Sequence, residues 1–209
     1  TVAPVDPNDT QAVAAGADLE VLENASLIGE SIDVSAPNGL TSVTIAGTAV
    51  TLADLQNASA AAPFEVITLE GTLFITSYLD NSGNNTDATI TYNYVPSGAK
   101  THDMGGLNVI DNITVQVTDT AGNTSPIDPA STIDIVITDT QPLAVADLVD
   151  PASEDDVTAG NVLTNDTIGA DATTVSGVAV GNTGADVSGN VGTPITGTFG
   201  DLTLNSDGT

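Results

Sequence analysis

The chain has 209 residues, in which Asp and Glu total 28 against one basic residue, Lys100, so the formal net charge is −27 at pH 7. Such a charge repels nucleic acid and anionic membrane surfaces and concentrates cations around the protein. Hydrophobic residues still make up 40% of the chain, mostly as short runs of Val, Ile, Leu and Ala, which favours a folded chain over a disordered one.

The sequence contains no Cys, so neither disulfides nor thiolate metal sites stabilise the fold. No apolar run is long enough to span a bilayer, and residues 1–20 lack the basic region that begins a signal peptide. We therefore expect no membrane insertion, and we interpret the chain as an internal piece of a longer protein without its own export signal.

The first part of the chain predicts a linker followed by one β module. Residues 1–16 carry two prolines and no periodicity, which is typical of a linker. Residues 17–139 then alternate short strand-like runs with turn signals. Polar and apolar residues alternate clearly around Ile113 and Ile135, so each of those strands buries one face. The pattern predicts an all-β sandwich with a helical turn at 52–62 and strands at 19–22, 27–35, 40–45, 49–52, 66–77, 89–95, 112–118 and 132–138.

A hinge is predicted at residues 140–146, where Pro142 restricts the backbone. A second β module follows at 147–209, with candidate strands at 174–180, 184–187 and 197–204. Asp207-Gly208 is a hairpin signal, yet no strand follows it in this sequence. We expect the second module to be incomplete or split, with its missing strands supplied from beyond this sequence or absent.

Calcium binding is predicted from the many Asp residues in loops. Calcium needs several hard oxygen ligands, and Asp supplies them on a short side chain. In an antiparallel sandwich, strand direction assigns these acids to two poles, where they repel one another without a cation. The pole at which the first module ends is predicted to hold Asp139, Asp147, Asp103 and Asp111. The opposite pole is predicted to hold Asp18, Glu20, Asp119, Asn123 and Asp128. The alternative is that these are solvated loop acids, since the sequence has neither an EF-hand loop nor a β-roll nonapeptide.

Catalysis is not predicted. His102 is the only His and lies beside Asp103, but the chain has no Cys, no Gly-x-Ser-x-Gly elbow and no His-Glu-x-x-His motif. Paired carboxylates could serve a glycosidase, but the chain has no Trp to form a sugar platform. We interpret His102 as part of a solvated loop and expect no enzyme.

Several runs resemble the tandem repeats of giant type I secreted (RTX) bacterial adhesins. In the first module these are VSAPNGLTSVTIAGTAVTL at 34–52, LEGTL at 69–73, TYNY at 91–94 and DNITVQVTD at 111–119. In the second module, GNVLTND at 160–166 and GTFGDLTLNSDG at 197–208 are similar to the neighbouring Ig-like or cadherin-like repeats of the same proteins.

The resemblance implies Ig-like or cadherin-like β-sandwich modules in tandem, with calcium at the joints, in a protein secreted to the bacterial cell surface. It implies an extender that supports adhesion and biofilm formation, acts as a monomer and contacts only calcium ions and neighbouring repeats. Two alternatives stay open: a module that binds a glycan or protein, and the first half of a split domain that carries an inserted ligand-binding domain. Ala14-Ala15 also resembles the di-alanine site cut by a periplasmic protease in these adhesins, but Val13 precedes it and its location does not fit, so we interpret it as part of an ordinary linker.

Overall fold

The structure is a computed structural model that describes residues 3–5, 19–102, 109–127, 132–147, 157–181 and 187–209, with the backbone alone for 3–5. Most regular structure in these residues is β-strand, which confirms the all-β prediction. The chain divides into two compact units, unit 1 (Thr1–Asp139) and unit 2 (Thr140–Thr209). Among the described residues, no helix has the length and apolar character needed to cross a membrane.

The described residues of unit 1 form ten strands and one short helix. In chain order they are β1 (Ala3–Val5), β2 (Leu19–Leu22), β3 (Leu27–Ser35), β4 (Leu40–Ile45), β5 (Thr48–Thr51), α1 (Leu52–Asn57), β6 (Phe64–Ile67), β7 (Gly71–Asp80), β8 (Asp87–Pro96), β9 (Val109–Asp119) and β10 (Thr132–Thr138). One five-stranded sheet has the order β1-β3-β8-β7-β6, and the other has the order β2-β10-β9-β4-β5. All neighbouring strands are antiparallel except β2 and β10, which are parallel.

The two sheets pack face to face around one hydrophobic core. Each strand therefore turns one face to the core and the other to solvent, which explains why apolar and polar residues alternate along it. Burial alternates along β9 and β10, so their predicted core-facing rows are confirmed. A fully buried Ile contributes about 2 to 3 kcal/mol relative to an exposed one. The buried members of these two rows are Ile113, Val115, Val117, Ile133, Ile135 and Ile137.

Two predictions about the elements of unit 1 differ from the structure in more than their bounds. The strand predicted at 66–77 is two strands, because β6 turns at Thr68 and returns as β7, with the Thr68 N–H donating to the Gly71 carbonyl at 3.0 Å. Gly71 is required there, since a Cβ would lie 2.5 Å from the Tyr94 ring. The range assigned to a linker also contains a strand, β1, which pairs with β3. The helical turn predicted at 52–62 is present as the shorter α1, which ends at Asn57 and begins with a capping box formed by Thr51 and Asp54.

The strand directions define two opposite ends of unit 1. At the first, β1 begins opposite Ser35, and Asn38 in the following loop contacts Asp119 at the end of β9; we call this the Asp119 end. At the second, β2 and β10 end together with Leu22 opposite Thr138, and Asp139 follows; we call this the Asp139 end. The start of β1 and the end of β10 therefore lie at opposite ends of unit 1.

Unit 2 has little regular structure in its described residues. Two short strands, β11 (Ile195–Thr196) and β12 (Asp201–Leu202), form an antiparallel pair. The longer strands predicted at 174–180 and 197–204 do not form, and most of the strand predicted at 184–187 lies outside the described residues. Without partner strands, the apolar side chains remain partly or fully exposed, and Gly208 is the only buried residue in the described part of unit 2.

Candidate metal centre

Two acids occupy core-facing positions on β9. Asp111 and Asp119 are in phase with Ile113, Val115 and Val117, and they are 1% and 2% exposed. A buried carboxylate must be hydrogen-bonded or paired with a charge, because its desolvation is otherwise costly. The two ends of the unit meet this requirement differently.

At the Asp119 end, hydrogen bonds alone satisfy the carboxylate of Asp119. Its Oδ1 accepts from the N–H groups of Ala121 (2.9 Å) and Asn123 (2.8 Å). Its Oδ2 accepts from the side-chain amides of Asn38 (2.8 Å) and Asn123 (2.9 Å). The amides of Asn123 and Asn38 are the main reason that the pKa of Asp119 is lowered to about 2. Four donors match the four lone-pair sites of a carboxylate, so the metal ligation predicted for Asp119 would require displacing one of them.

The other residues predicted at this pole have different positions. Asn123 is a hydrogen-bond donor to Asp119. Glu20 is exposed and lies opposite Val136, two residues before the end of β10, so its assignment to the pole opposite Asp139 is wrong. The reason is that the short β2 pairs in parallel with the final residues of β10. Asp18 and Asp128 lie outside the described residues.

Near the Asp139 end, Asp111 connects the two sheets. Its Oδ2 accepts from the Thr68 hydroxyl (2.5 Å), the Tyr94 hydroxyl (2.7 Å) and the Glu70 N–H (3.2 Å). Its Oδ1 is buried and has no hydrogen-bond partner. Burial is the main reason that the pKa of Tyr94 is raised, and the hydrogen bond to Asp111 adds to it. Asp111 is therefore a structural link whose second oxygen remains unused.

The Asp139 end also brings together Glu23, His102 and Asp139. One ligand atom from each residue lies within 4.8 Å of the others. Glu23 immediately follows β2, Asp139 immediately follows β10, and the Glu23 N–H donates to the Thr138 carbonyl at 3.1 Å. His102 belongs to the segment that follows β8. This is the acid and His group in the described residues from which a metal site can be built.

His102 is buried, so its interpretation as part of a solvated loop is wrong. Its side chain is 7% exposed, and its Nε2 lies 3.6 Å from Glu23 Oε2 without a hydrogen-bond partner. The Glu23 side chain has no exposed surface, whereas Asp139 is exposed. The group therefore opens to solvent on the side of Asp139.

Lys100 fixes the segment that carries His102. Its backbone N–H donates to Glu23 Oε2 at 2.8 Å, and its ammonium group forms an ion pair with Glu70 Oε2 at 2.8 Å. The ammonium group also donates to the Ser97 hydroxyl at 2.8 Å. The single basic residue of the chain thus ties the 97–102 segment to both sheets next to the candidate site.

The remaining predicted ligands do not join this group in the described structure. Asp103 lies outside the described residues. Asp147 belongs to unit 2, where it is exposed and lines an open cleft. Of the nine predicted ligands, Asp139 alone is a member of the three-residue group.

Sequence reasoning missed Glu23 and His102. Glu23 had a usable signal, since it continues the inward-facing row of Leu19 and Val21 beyond the end of β2, just as Asp111 and Asp119 extend the row of β9. His102 had only its uniqueness, because its partners are far away in sequence and no motif spacing joins them.

Comparisons with known proteins add no relative: a scan against protein-family models, a search of curated proteins and a search of solved structures each gave no match.

Proposed function

We propose that the chain is a structural extender segment of a secreted, cell-surface RTX-type adhesin that supports bacterial adhesion and biofilm formation. In this proposal, unit 1 is an Ig-like or cadherin-like β-sandwich in a tandem array, and calcium bound through Asp139, Asp147 and neighbouring acids stiffens the joints. The chain acts as a monomer and is not an enzyme.

The observation that carries the proposal is the direction of the strands in unit 1. β1 begins at the Asp119 end, and β10 finishes at the opposite end. A module attached at opposite ends adds its full length to a string of modules, which is what an extender requires. The charge of −27 supports the cation requirement, because it gathers divalent cations and makes neighbouring modules repel one another when cations are removed.

Small-angle X-ray scattering on the full chain tests the calcium joint. We expect excess chelator to broaden the distance distribution and to lower the melting temperature relative to millimolar calcium, since an ion that binds only the folded form stabilises it. The Asp139→Asn/Asp147→Asn double variant should lose the response to calcium. Asp171→Asn, which removes a charge from an exposed acid of unit 2, should keep it. Identical profiles and melting curves with and without calcium would contradict this part of the proposal.

A glycan array and a pull-down with the same chain test the extender role itself. An extender should retain neither glycans nor host proteins. Specific, saturable binding of either class would instead favour a ligand-binding module.

The exposed apolar surface of unit 2 favours a second candidate, in which unit 2 is part of a split β-sandwich. Val157 is 99% exposed and Phe199 is 101% exposed. An open cleft of about 460 Å³ is lined by apolar residues that include Val162, Val175 and Leu204. Further strands packed against unit 2 would bury such side chains.

Native-state hydrogen exchange tests the second candidate. We expect amides of unit 2 to exchange far faster than the buried strands of unit 1, because unit 2 has few buried contacts to resist local opening. Equal protection in both units would show that unit 2 is already closed and would rule out the split-domain candidate.

A further inference from the structure

We propose that Glu23, His102 and Asp139 form a binding site for a divalent transition-metal ion, for which zinc is the best match. The site goes beyond the extender proposal, which assigns calcium to the joint, and all its residues belong to unit 1.

The unpartnered His102 nitrogen is the first argument. The side chain is more than nine-tenths buried, and Nε2 points at the Glu23 carboxylate without forming a hydrogen bond to any group. Buried polar side-chain atoms in folded proteins nearly always have a partner. A metal ion between the two groups supplies that partner for the imidazole.

The separations fit an ion held between the groups. The 3.6 Å between His102 Nε2 and Glu23 Oε2 is too long for a hydrogen bond. Two ligands bound to one tetrahedral zinc ion at about 2.0–2.1 Å lie roughly 3.3 Å apart. Asp139, with a carboxylate oxygen within 4.8 Å of the other ligand atoms, reaches the ion after a small adjustment of its exposed side chain.

The ligand types select the metal. Calcium and magnesium take oxygen ligands, whereas imidazole favours zinc and other transition metals. Two carboxylates and one neutral imidazole balance the charge of a divalent ion. Three protein ligands leave a fourth tetrahedral position for water, which can enter from the exposed Asp139 side.

The surroundings of Glu23 hold its carboxylate in place for binding. Its Oε2 accepts the Lys100 N–H at 2.8 Å, and Lys100 is anchored in turn by its ion pair with Glu70. Such outer contacts orient metal ligands, and their loss typically weakens metal affinity by about 10- to 100-fold. The competing explanation is a buried ion pair between His102 and Glu23 that needs no metal.

Calorimetric titration of the full chain with zinc, with and without excess calcium, distinguishes these explanations. We expect a high-affinity site of one zinc per chain that survives a roughly 100-fold excess of calcium. His102→Gln should weaken zinc binding at least tenfold, because the loss of a direct ligand should cost at least as much as the loss of an outer contact. Asp139→Asn should weaken it as well and should leave the fold intact, because Asp139 is exposed. Glu20→Gln, which removes one exposed charge from a neighbouring part of β2, should leave zinc affinity unchanged.

Cobalt absorption gives an independent readout. Titration with cobalt should produce visible bands typical of tetrahedral coordination in the parent protein and in Glu20→Gln, but not in His102→Gln. Circular dichroism of the metal-free variants is the control that tests whether each variant is folded.

Equal zinc affinity in the parent, His102→Gln and Asp139→Asn would overturn the proposal, since the metal would then bind the acidic surface without using this group. Displacement of zinc by an equal concentration of calcium would overturn it too. The extender proposal is tested separately, because its scattering response to calcium should persist in His102→Gln.

Discussion

The two ends of unit 1 satisfy their buried acids in different ways. At the Asp119 end, four hydrogen-bond donors converge on one carboxylate. At the Asp139 end, Asp111 has one oxygen with three donors and one with none, and the His102 nitrogen is buried beside Glu23 without a hydrogen bond. An acid-rich sequence therefore does not by itself locate a metal site; a metal site is indicated where potential ligand atoms are buried without a hydrogen-bond partner.

The largest effect is expected for Asp111→Ala. The substitution leaves the Thr68 hydroxyl, the Tyr94 hydroxyl and the Glu70 N–H without their acceptor in the interior. We expect a loss of about 3 kcal/mol or more in the free energy of unfolding, measured by urea denaturation. Asp111→Asn keeps one acceptor oxygen and should cost less. If the Ala variant is as stable as the parent, the three hydrogen bonds do not connect the sheets as described.

Zinc should stabilise unit 1 by a comparable amount through the Asp139 end. At a free zinc concentration of about 100 times the dissociation constant, mass action adds about 2.7 kcal/mol to the free energy of unfolding. Thermal melts of the parent and His102→Gln with and without zinc measure the difference. If zinc raises the melting temperature of both proteins equally, zinc does not bind through His102, and the proposed difference between the two ends is wrong.

A smaller, pH-dependent effect is expected at the Asp119 end. The folded-state pKa of Asp119 is about 2, below that of the unfolded chain, so its ionised form stabilises the fold above about pH 4. That contribution is lost as the pH falls through 4 towards 2. Asp119→Asn should therefore be less stable than the parent at pH 7, and the gap should narrow on acidification. Denaturation at pH 7, 4 and 2.5 measures the difference in stability between the two proteins. If that difference is the same at all three pH values, the Asn38 and Asn123 amides do not stabilise the ionised form of Asp119.

The smallest effects distinguish two tyrosine hydroxyls. Tyr94 donates to the carboxylate of Asp111, whereas Tyr78 donates to the neutral amide of Asn85 at 2.8 Å. Burial is the main reason that the pKa of Tyr78 is raised to about 12, and it also raises the pKa of Tyr94. Both hydroxyls therefore keep their protons at neutral pH. We expect Tyr94→Phe to cost about 2 kcal/mol and Tyr78→Phe about 1 kcal/mol. The reverse order in matched urea curves would indicate that Asp111 is not the stronger acceptor.

Local patterns predicted much of unit 1. Alternation is a property of neighbouring residues, so the strands at 19–22, 27–35, 40–45 and 132–138 have the predicted bounds. The turn between β6 and β7 was missed because Gly71 is required by a distant residue, Tyr94, and no strong local turn signal accompanies it.

The contacts of the acids at the two ends were harder to predict because they are long-range. Asn38 reaches Asp119 across 81 positions, and the Lys100 N–H reaches Glu23 across 77. Strand direction placed Asp139 and Asp119 at opposite ends correctly. It could not show which acid is surrounded by hydrogen-bond donors in the folded protein. An inward-facing acid at the end of an apolar row, as with Glu23, is the signal that sequence analysis can use.

Chemical-shift mapping of the isotope-labelled chain during a zinc titration tests the central contrast most directly. The chain has one His, so a single set of imidazole signals reports on His102. We predict that substoichiometric zinc shifts the signals of His102, Glu23 and Asp139 and leaves those of Asp119 and Asn123 unchanged. Equal shifts at both ends, or an imidazole that does not respond, would contradict the assignment of a metal site to the Asp139 end.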